Sequence, residues 1–82
     1  MPYFQIPNAR VGLPYEAQIK VQGSDSQIVQ LKAESVVLDE ELGIRYDAER
    51  DTFYGTPAIS GEYPIKFEYL ENNNWLAGHC TF

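Results

Sequence analysis

Apolar and polar residues alternate along three segments of this chain, at residues 15–21, 29–34 and 63–69. The apolar members are Tyr15, Ala17, Ile19 and Val21 in the first segment, Val29, Leu31 and Ala33 in the second, and Tyr63, Ile65, Phe67 and Tyr69 in the third. Successive side chains of a β-strand point to opposite faces, so each alternation predicts a half-buried strand. The dominant period of two therefore predicts an all-β fold.

Short polar segments separate the predicted strands. We expect turns or loops at Gln22–Ser26, Asp47–Asp51 and Glu71–Asn74, because Gly, Asp, Ser and Asn favour tight turns. The acidic stretch Val36–Leu42 is predicted to be a loop or a single helical turn. Pro64 cannot donate to a ladder of hydrogen bonds, which predicts an edge or a bulge there. About seven short strands result, a number typical of a two-sheet sandwich.

A second group of residues, rich in glycine and proline, favours turns between the predicted strands. Gly55-Thr56-Pro57 combines a glycine, which can end a strand where a side chain would obstruct the bend, with a proline that biases Thr56 toward extended backbone. Gly61-Glu62-Tyr63 places a glycine, which tolerates positive φ, just before the last long alternation. The earlier Val11–Tyr15 segment reads Val-Gly-Leu-Pro-Tyr.

These three motifs, in this order, resemble the second half and the opening of bacterial immunoglobulin-like and cadherin-like domains. The resemblance covers most of the chain and is most specific from Gly55 to Tyr63. It implies an immunoglobulin-like sandwich that acts as a spacer or interaction module within a longer protein. Leu38–Ile44 departs from the family's Leu-Pro-x-Gly-Leu stretch, and the acidic calcium signatures of cadherins are not recognisable.

Length and charge limit the classes of function. The 82 residues suffice for one domain, residues 1–82, which we expect to be the N-terminal part of a longer protein. Twelve acidic residues against six basic ones give a net charge of -6, which disfavours nucleic acid and anionic membrane as partners. No signal peptide or long apolar run is visible. The lone cysteine favours a reducing cytoplasm, while a cell-surface location stays open.

The sequence offers little chemistry for catalysis or metal binding. His79 and Cys80 are adjacent, so in a strand they point to opposite faces and cannot form a nucleophile–base pair or a zinc site. We expect Cys80 to lie in the core. Calcium has candidate oxygen ligands in two loops, Asp39–Glu41 and Asp47–Asp51, but neither has a recognised calcium spacing. We therefore predict no enzyme activity and no cofactor.

Two aromatic residues are the remaining candidates for a binding surface. Tyr54 should face opposite Phe53, and Trp75 follows the predicted asparagine turn. Such rings can anchor a protein partner or stack on sugars, or they can pack at the rim of the core. The sequence thus predicts a non-catalytic interaction or spacer module of a bacterial multidomain protein, binding a protein or a neighbouring domain. A carbohydrate-binding module and the regulatory N-terminal domain of a signalling enzyme are the alternatives.

Overall fold

The described secondary structure consists of strands and two 3₁₀ turns. In the computed structural model, which describes residues 3–21 and 29–82, the 3₁₀ turns span Ala33–Ser35 and Glu40–Leu42. The strands are β1 (Phe4–Gln5), β2 (Tyr15–Ala17), β3 (Lys20–Val21), β4 (Ile44–Asp47), β5 (Thr52–Gly55), β6 (Pro64–Glu71) and β7 (Asn74–Thr81). The prediction of an all-β fold is confirmed. The loop predicted at Gln22–Ser26 lies outside the described residues.

The strands form three antiparallel groups. β2, β5 and β4 make a three-stranded sheet in that order, β6 pairs with β7, and β1 pairs with β3. Residues 30–37 run antiparallel beside β6 and extend the β6–β7 sheet, with bridges at Leu31–Tyr69 and Val37–Lys66. Among the described helices, none is long or apolar enough to span a bilayer.

The predicted alternation over residues 29–34 is wrong at its C-terminal end. Ala33 is exposed because the chain leaves the extended conformation for the Ala33–Ser35 turn. Within this turn the Ser35 hydroxyl donates to the Lys32 carbonyl (2.6 Å) and accepts from the Glu68 backbone N–H (2.8 Å). The Ser35 hydroxyl thus takes the place of a backbone carbonyl as the acceptor for the Glu68 N–H of β6. Residues 33–35 can therefore bulge out while the segment stays hydrogen-bonded to β6.

One apolar core joins the strand groups. Phe53 of β5, Ile65 of β6 and Ile19 between β2 and β3 are almost fully buried. Around them lie the other buried apolar residues, which are Ile6, Val29, Leu31, Leu42, Ile44, Phe67, Tyr69 and Cys80. This shared core includes residues of β4, β5, β6 and β7, and its burial fixes which side chains of these strands face outward.

The turns that order the sheets use the expected residue types. Asn72 and Asn73 connect β6 to β7 with φ values of 50° and 65°, as in the primed two-residue hairpin turns that match strand twist. Asp39 precedes the Glu40–Leu42 turn, and its side chain accepts a hydrogen bond from the Glu41 N–H (2.9 Å). The turn ends at Gly43, which has a φ of 87°. The predicted single turn in Val36–Leu42 therefore corresponds to Glu40–Leu42.

Candidate interaction surfaces

The motif that begins at Gly55 supports the turn after β5. Gly55 has a φ of 136°, and a Cβ atom there would collide with the Gly43 carbonyl oxygen. Pro57 is buried, and its carbonyl accepts a hydrogen bond from the Gly12 N–H (2.9 Å). The motif therefore ties β5 to the segment before β2 through backbone contacts, while Thr56 between these two residues is exposed.

The second part of the motif orders the entry to β6. Gly61 has a φ of 128°, and the Tyr63 ring packs beside it. A Cβ atom at position 61 would lie only 3.3 Å from that ring. Tyr63 is half-buried and its hydroxyl donates to the Ser60 carbonyl (2.8 Å). Both contacts are local packing interactions that fix the path of the loop.

Trp75 lies on the outer face of the β6–β7 hairpin. Its side chain is 39% exposed, and its cross-strand neighbour Leu70 is 37% exposed. The Lys32 ammonium lies 5.8 Å from the centroid of the Trp75 ring, a cation–π arrangement that covers part of the indole. We call Lys32, Leu70, Trp75 and Ala77 the Trp75 face. It combines apolar area with both charges, because Glu68, the cross-strand neighbour of Ala77, lies on the same face as the Lys32 ammonium.

Tyr54 occupies a different surface. It projects outward from β5, opposite the fully buried Phe53, and is 39% exposed. Its cross-strand neighbours are Glu16 on β2 and Arg45 on β4, so this face carries mixed charges. Tyr54 on β5 and Trp75 on β7 are both partly exposed and belong to different sheets. The two rings therefore do not share one sheet surface.

The acidic loop between β4 and β5 is held by its own hydrogen bonds. Asp47 accepts from the Glu49 N–H (3.0 Å) and from the Arg50 guanidinium (2.9 Å), and the hydrogen bond from Arg50 lowers the pKa of Asp47. Asp51 accepts from the Tyr46 hydroxyl (2.5 Å), and partial burial raises the pKa of Asp51. Burial, reinforced by Asp51, also raises the pKa of the Tyr46 hydroxyl.

The acidic side chains of these two loops are not grouped as metal ligands would be. Within residues 3–21 and 29–82, no group of three or more His, Cys, Asp or Glu side chains is positioned to hold an ion. In the other acidic loop, the Asp39 carboxylate is engaged by the Glu41 N–H.

His79 and Cys80 point to opposite sides of β7. His79 is exposed, whereas Cys80 is buried against the core, and burial raises the pKa of the Cys80 thiol to about 11. A neutral, enclosed thiol is a poor nucleophile. The arrangement gives Cys80 the environment of a small core residue.

Among the described residues, no backbone hydrogen bond pairs the edge of β7 that faces away from β6, a feature that the sequence did not reveal. The backbone groups of Lys66, Glu68 and Leu70 bond to residues 30–37, so the intervening residues of β6 bond to β7. In β7 the even-numbered residues face β6, and the odd-numbered residues, Trp75, Ala77, His79 and Thr81, direct their backbone N–H and C=O groups away from it. The available signal was the absence of Asp, Glu, Lys, Arg and Pro from all eight residues of β7.

Comparison with protein-family models, curated proteins and solved structures finds no match to this chain.

Proposed function

We propose that this chain is an immunoglobulin-like sandwich module without catalytic activity, and that it binds another protein or a neighbouring domain through the Trp75 face. The strand order supports the fold assignment. Immunoglobulin-like sandwiches place their second, fifth and fourth strands in one sheet and their third, sixth and seventh in the other. Here β2, β5 and β4 form one sheet, and residues 30–37, β6 and β7 form the other.

The single observation that carries the docking role is the exposed apolar area of the Trp75 face. Leu70 and Trp75 are direct cross-strand neighbours, and both remain more than one third exposed. Partly exposed tryptophan side chains on rigid strands are frequent anchors of protein interfaces. A hairpin of two eight-residue strands holds this tryptophan in place without a loop that would have to be ordered on binding.

Binding of carbohydrate is the competing use of the same ring. A sugar would need a free face of Trp75, and the Lys32 ammonium already lies over the ring. Tyr54, the other exposed aromatic candidate, belongs to the other sheet and cannot contribute to the same site. These two observations favour a protein partner. A host that is a bacterial multidomain protein, such as a signalling enzyme, remains a prediction of the sequence resemblance.

Site-specific photo-cross-linking tests the docking role. We would place p-benzoylphenylalanine at position 75, with position 54 as the matched control, in cells that express the gene. Protein adducts that form from position 75 and not from position 54 would support the proposal. Equal yields from both positions, or no adduct from position 75, would contradict it.

Tryptophan fluorescence tests the carbohydrate-binding alternative, because Trp75 is the only tryptophan in the chain. Its emission reports directly on a sugar stacked against the ring. We expect titration with a panel of oligosaccharides to leave the emission unchanged. A saturable shift would instead support the carbohydrate-binding alternative.

A further inference from the structure

We propose that residues 3–7, which include β1, form a strap that opens while the rest of the sandwich stays folded, and that this opening controls access to the Cys80 thiol. The inference goes beyond the proposed docking function and does not depend on it. Three features of the described residues lead to it: the few backbone attachments of the strap, its side-chain contacts with the β6–β7 hairpin, and the position of Cys80 beneath it.

The strap has few backbone attachments. β1 pairs with β3 at two positions only, Phe4 with Val21 and Gln5 with Lys20. β1 also lies beside β7, and the two line a crevice of about 420 Å³, but among the described residues no backbone hydrogen bond joins them. Segments with few backbone bonds to break open at a lower free energy than the whole domain. The strap is therefore a candidate for local opening.

Side-chain packing attaches the strap to the β6–β7 hairpin. The Phe4 ring packs edge-to-face against the rings of Phe67 and Tyr69, with centroid distances of 5.3 Å and 4.6 Å. Gly78 leaves room for this ring, since a Cβ atom at position 78 would lie 3.0 Å from Phe4. Ile6, two residues further along the strap, is buried in the core. Phe4 is thus the main anchor of the strap on this hairpin.

Cys80 lies beneath the C-terminal end of the strap. It lines the crevice between β1 and β7 together with Phe4 and Ile6. The Tyr15 hydroxyl donates to the Pro7 carbonyl (2.5 Å), which ties down this end of the strap. Burial, reinforced by the nearby Cys80, raises the pKa of the Tyr15 hydroxyl, so the two side chains are neighbours. Release of the strap therefore uncovers the thiol from the side of β1.

The rest of the sandwich keeps its attachments when the strap opens. β6 and β7 remain paired over eight residues, and β2, β5 and β4 remain one sheet. The most deeply buried side chains, those of Ile19, Phe53 and Ile65, belong to other parts of the chain. Opening removes only Phe4 and Ile6 from the apolar core and breaks only the pairing between β1 and β3.

Opening changes the chemistry of the thiol as well as its access. In the closed chain, burial raises the pKa of Cys80 to about 11. In water the pKa of a cysteine thiol is about 8.5, so the open state also carries a larger fraction of reactive thiolate. The rate at which an electrophile reacts with Cys80 therefore follows the fraction of chains whose strap is open, provided that opening and closing are fast.

Thiol labelling measures this opening, because Cys80 is the only cysteine in the chain. Phe4→Ala removes the main anchor, so we expect iodoacetamide to label this variant at least about tenfold faster than the wild type in the absence of urea. Ser35→Ala is the matched control, since it removes a hydrogen bond of Glu68 outside the strap. It should label at the wild-type rate. Equal acceleration by the two variants would overturn the proposal, as would an unchanged rate in Phe4→Ala.

The urea dependence of labelling in the wild type gives a test that needs no variant. Opening of the strap exposes little surface, so the rate should rise only weakly with urea below the unfolding transition. Circular dichroism locates that transition and verifies that each variant is folded. A rate that follows the full urea dependence of unfolding from the lowest concentrations would show that only global unfolding exposes Cys80, and it would overturn the proposal.

Discussion

Gly78 offers the sharpest test of how tightly the core is packed. It lies in the middle of β7 and faces inward, opposite Phe67 of β6. A Cβ atom at this position would come within 2.8 Å of the Phe67 ring and 3.0 Å of the rings of Phe4 and Tyr69. These distances are shorter than ordinary van der Waals contact, so Gly78→Ala forces at least one ring to move.

The cost of that movement can be worked from the contacts. Overpacking of a well-packed core costs about 1–3 kcal/mol. Against this, alanine in place of a strand glycine recovers about 0.5–1 kcal/mol of backbone entropy. Taking the middle of each range, we expect Gly78→Ala to lower the free energy of unfolding by about 1 kcal/mol. For a domain of this size, each kcal/mol lowers Tm by about 4–8 °C.

Urea denaturation followed by circular dichroism measures the effect, and Gly12→Ala provides the control. Gly12 has a φ of 82°, and a Cβ atom there would have no other atom within 4 Å, so its substitution probes backbone strain alone, at about 1–2 kcal/mol. A double-mutant cycle isolates the packing contribution. Phe4→Leu removes one of the three rings, so it should be less destabilising when combined with Gly78→Ala.

A Gly78→Ala variant as stable as the wild type, alongside a destabilised Gly12→Ala variant, would contradict tight packing around Gly78. The rings of Phe4, Phe67 and Tyr69 would then move aside without loss of stability, which would mean that the core is loosely packed. Additive effects of Phe4→Leu and Gly78→Ala would also refute the argument, because they would show that Phe4 does not confine Gly78.

Three further substitutions or reactions test individual contacts. Ser35→Ala leaves the Glu68 N–H without its acceptor and should lower the free energy of unfolding by about 1–3 kcal/mol in urea titrations. Burial should make alkylation of Cys80 by iodoacetamide slow in the folded chain and fast in urea; rapid labelling of the folded chain would contradict this. The raised pKa of Asp51 adds stability that is present below pH 3.8 and is lost as the pH rises through the folded-state pKa. Asp51→Asn keeps an acceptor for the Tyr46 hydroxyl but does not titrate. As the pH rises through the folded-state pKa of Asp51, this variant should therefore become more stable relative to the wild type. Unfolding free energies that change equally with pH in the two proteins would show that the pKa of Asp51 is not raised.

The best-predicted part of the fold is the β6–β7 hairpin. Its first strand buries one face against the core while the other faces solvent, so the period of two over residues 63–69 is nearly complete. The turn at Asn72 and Asn73 was predictable because asparagine tolerates the positive φ that the hairpin requires. Local sequence and tertiary structure agree along this hairpin.

Other segments depend on partners that a local pattern cannot identify. The single alternation over residues 15–21 becomes two strands, because Tyr15–Ala17 pair with β5 whereas Lys20–Val21 pair with β1. The Ala33–Ser35 turn depends on the Glu68 N–H reaching the Ser35 hydroxyl from a distant part of the chain. In both places, the partner strand decides the local conformation.

For the candidate surface too, the local pattern predicts the exposure of a side chain, whereas its neighbours depend on which strands pair. The exposure of Tyr54 follows from its alternation with Phe53, but its separation from Trp75 depends on which sheet each strand joins. The Lys32–Trp75 contact likewise requires residues 30–37 to lie beside β6. The uncharged run in β7 was visible in the sequence, yet its meaning depends on β7 being an edge strand. A run of this kind in a central strand would be ordinary, whereas at an edge it leaves backbone groups open to a partner.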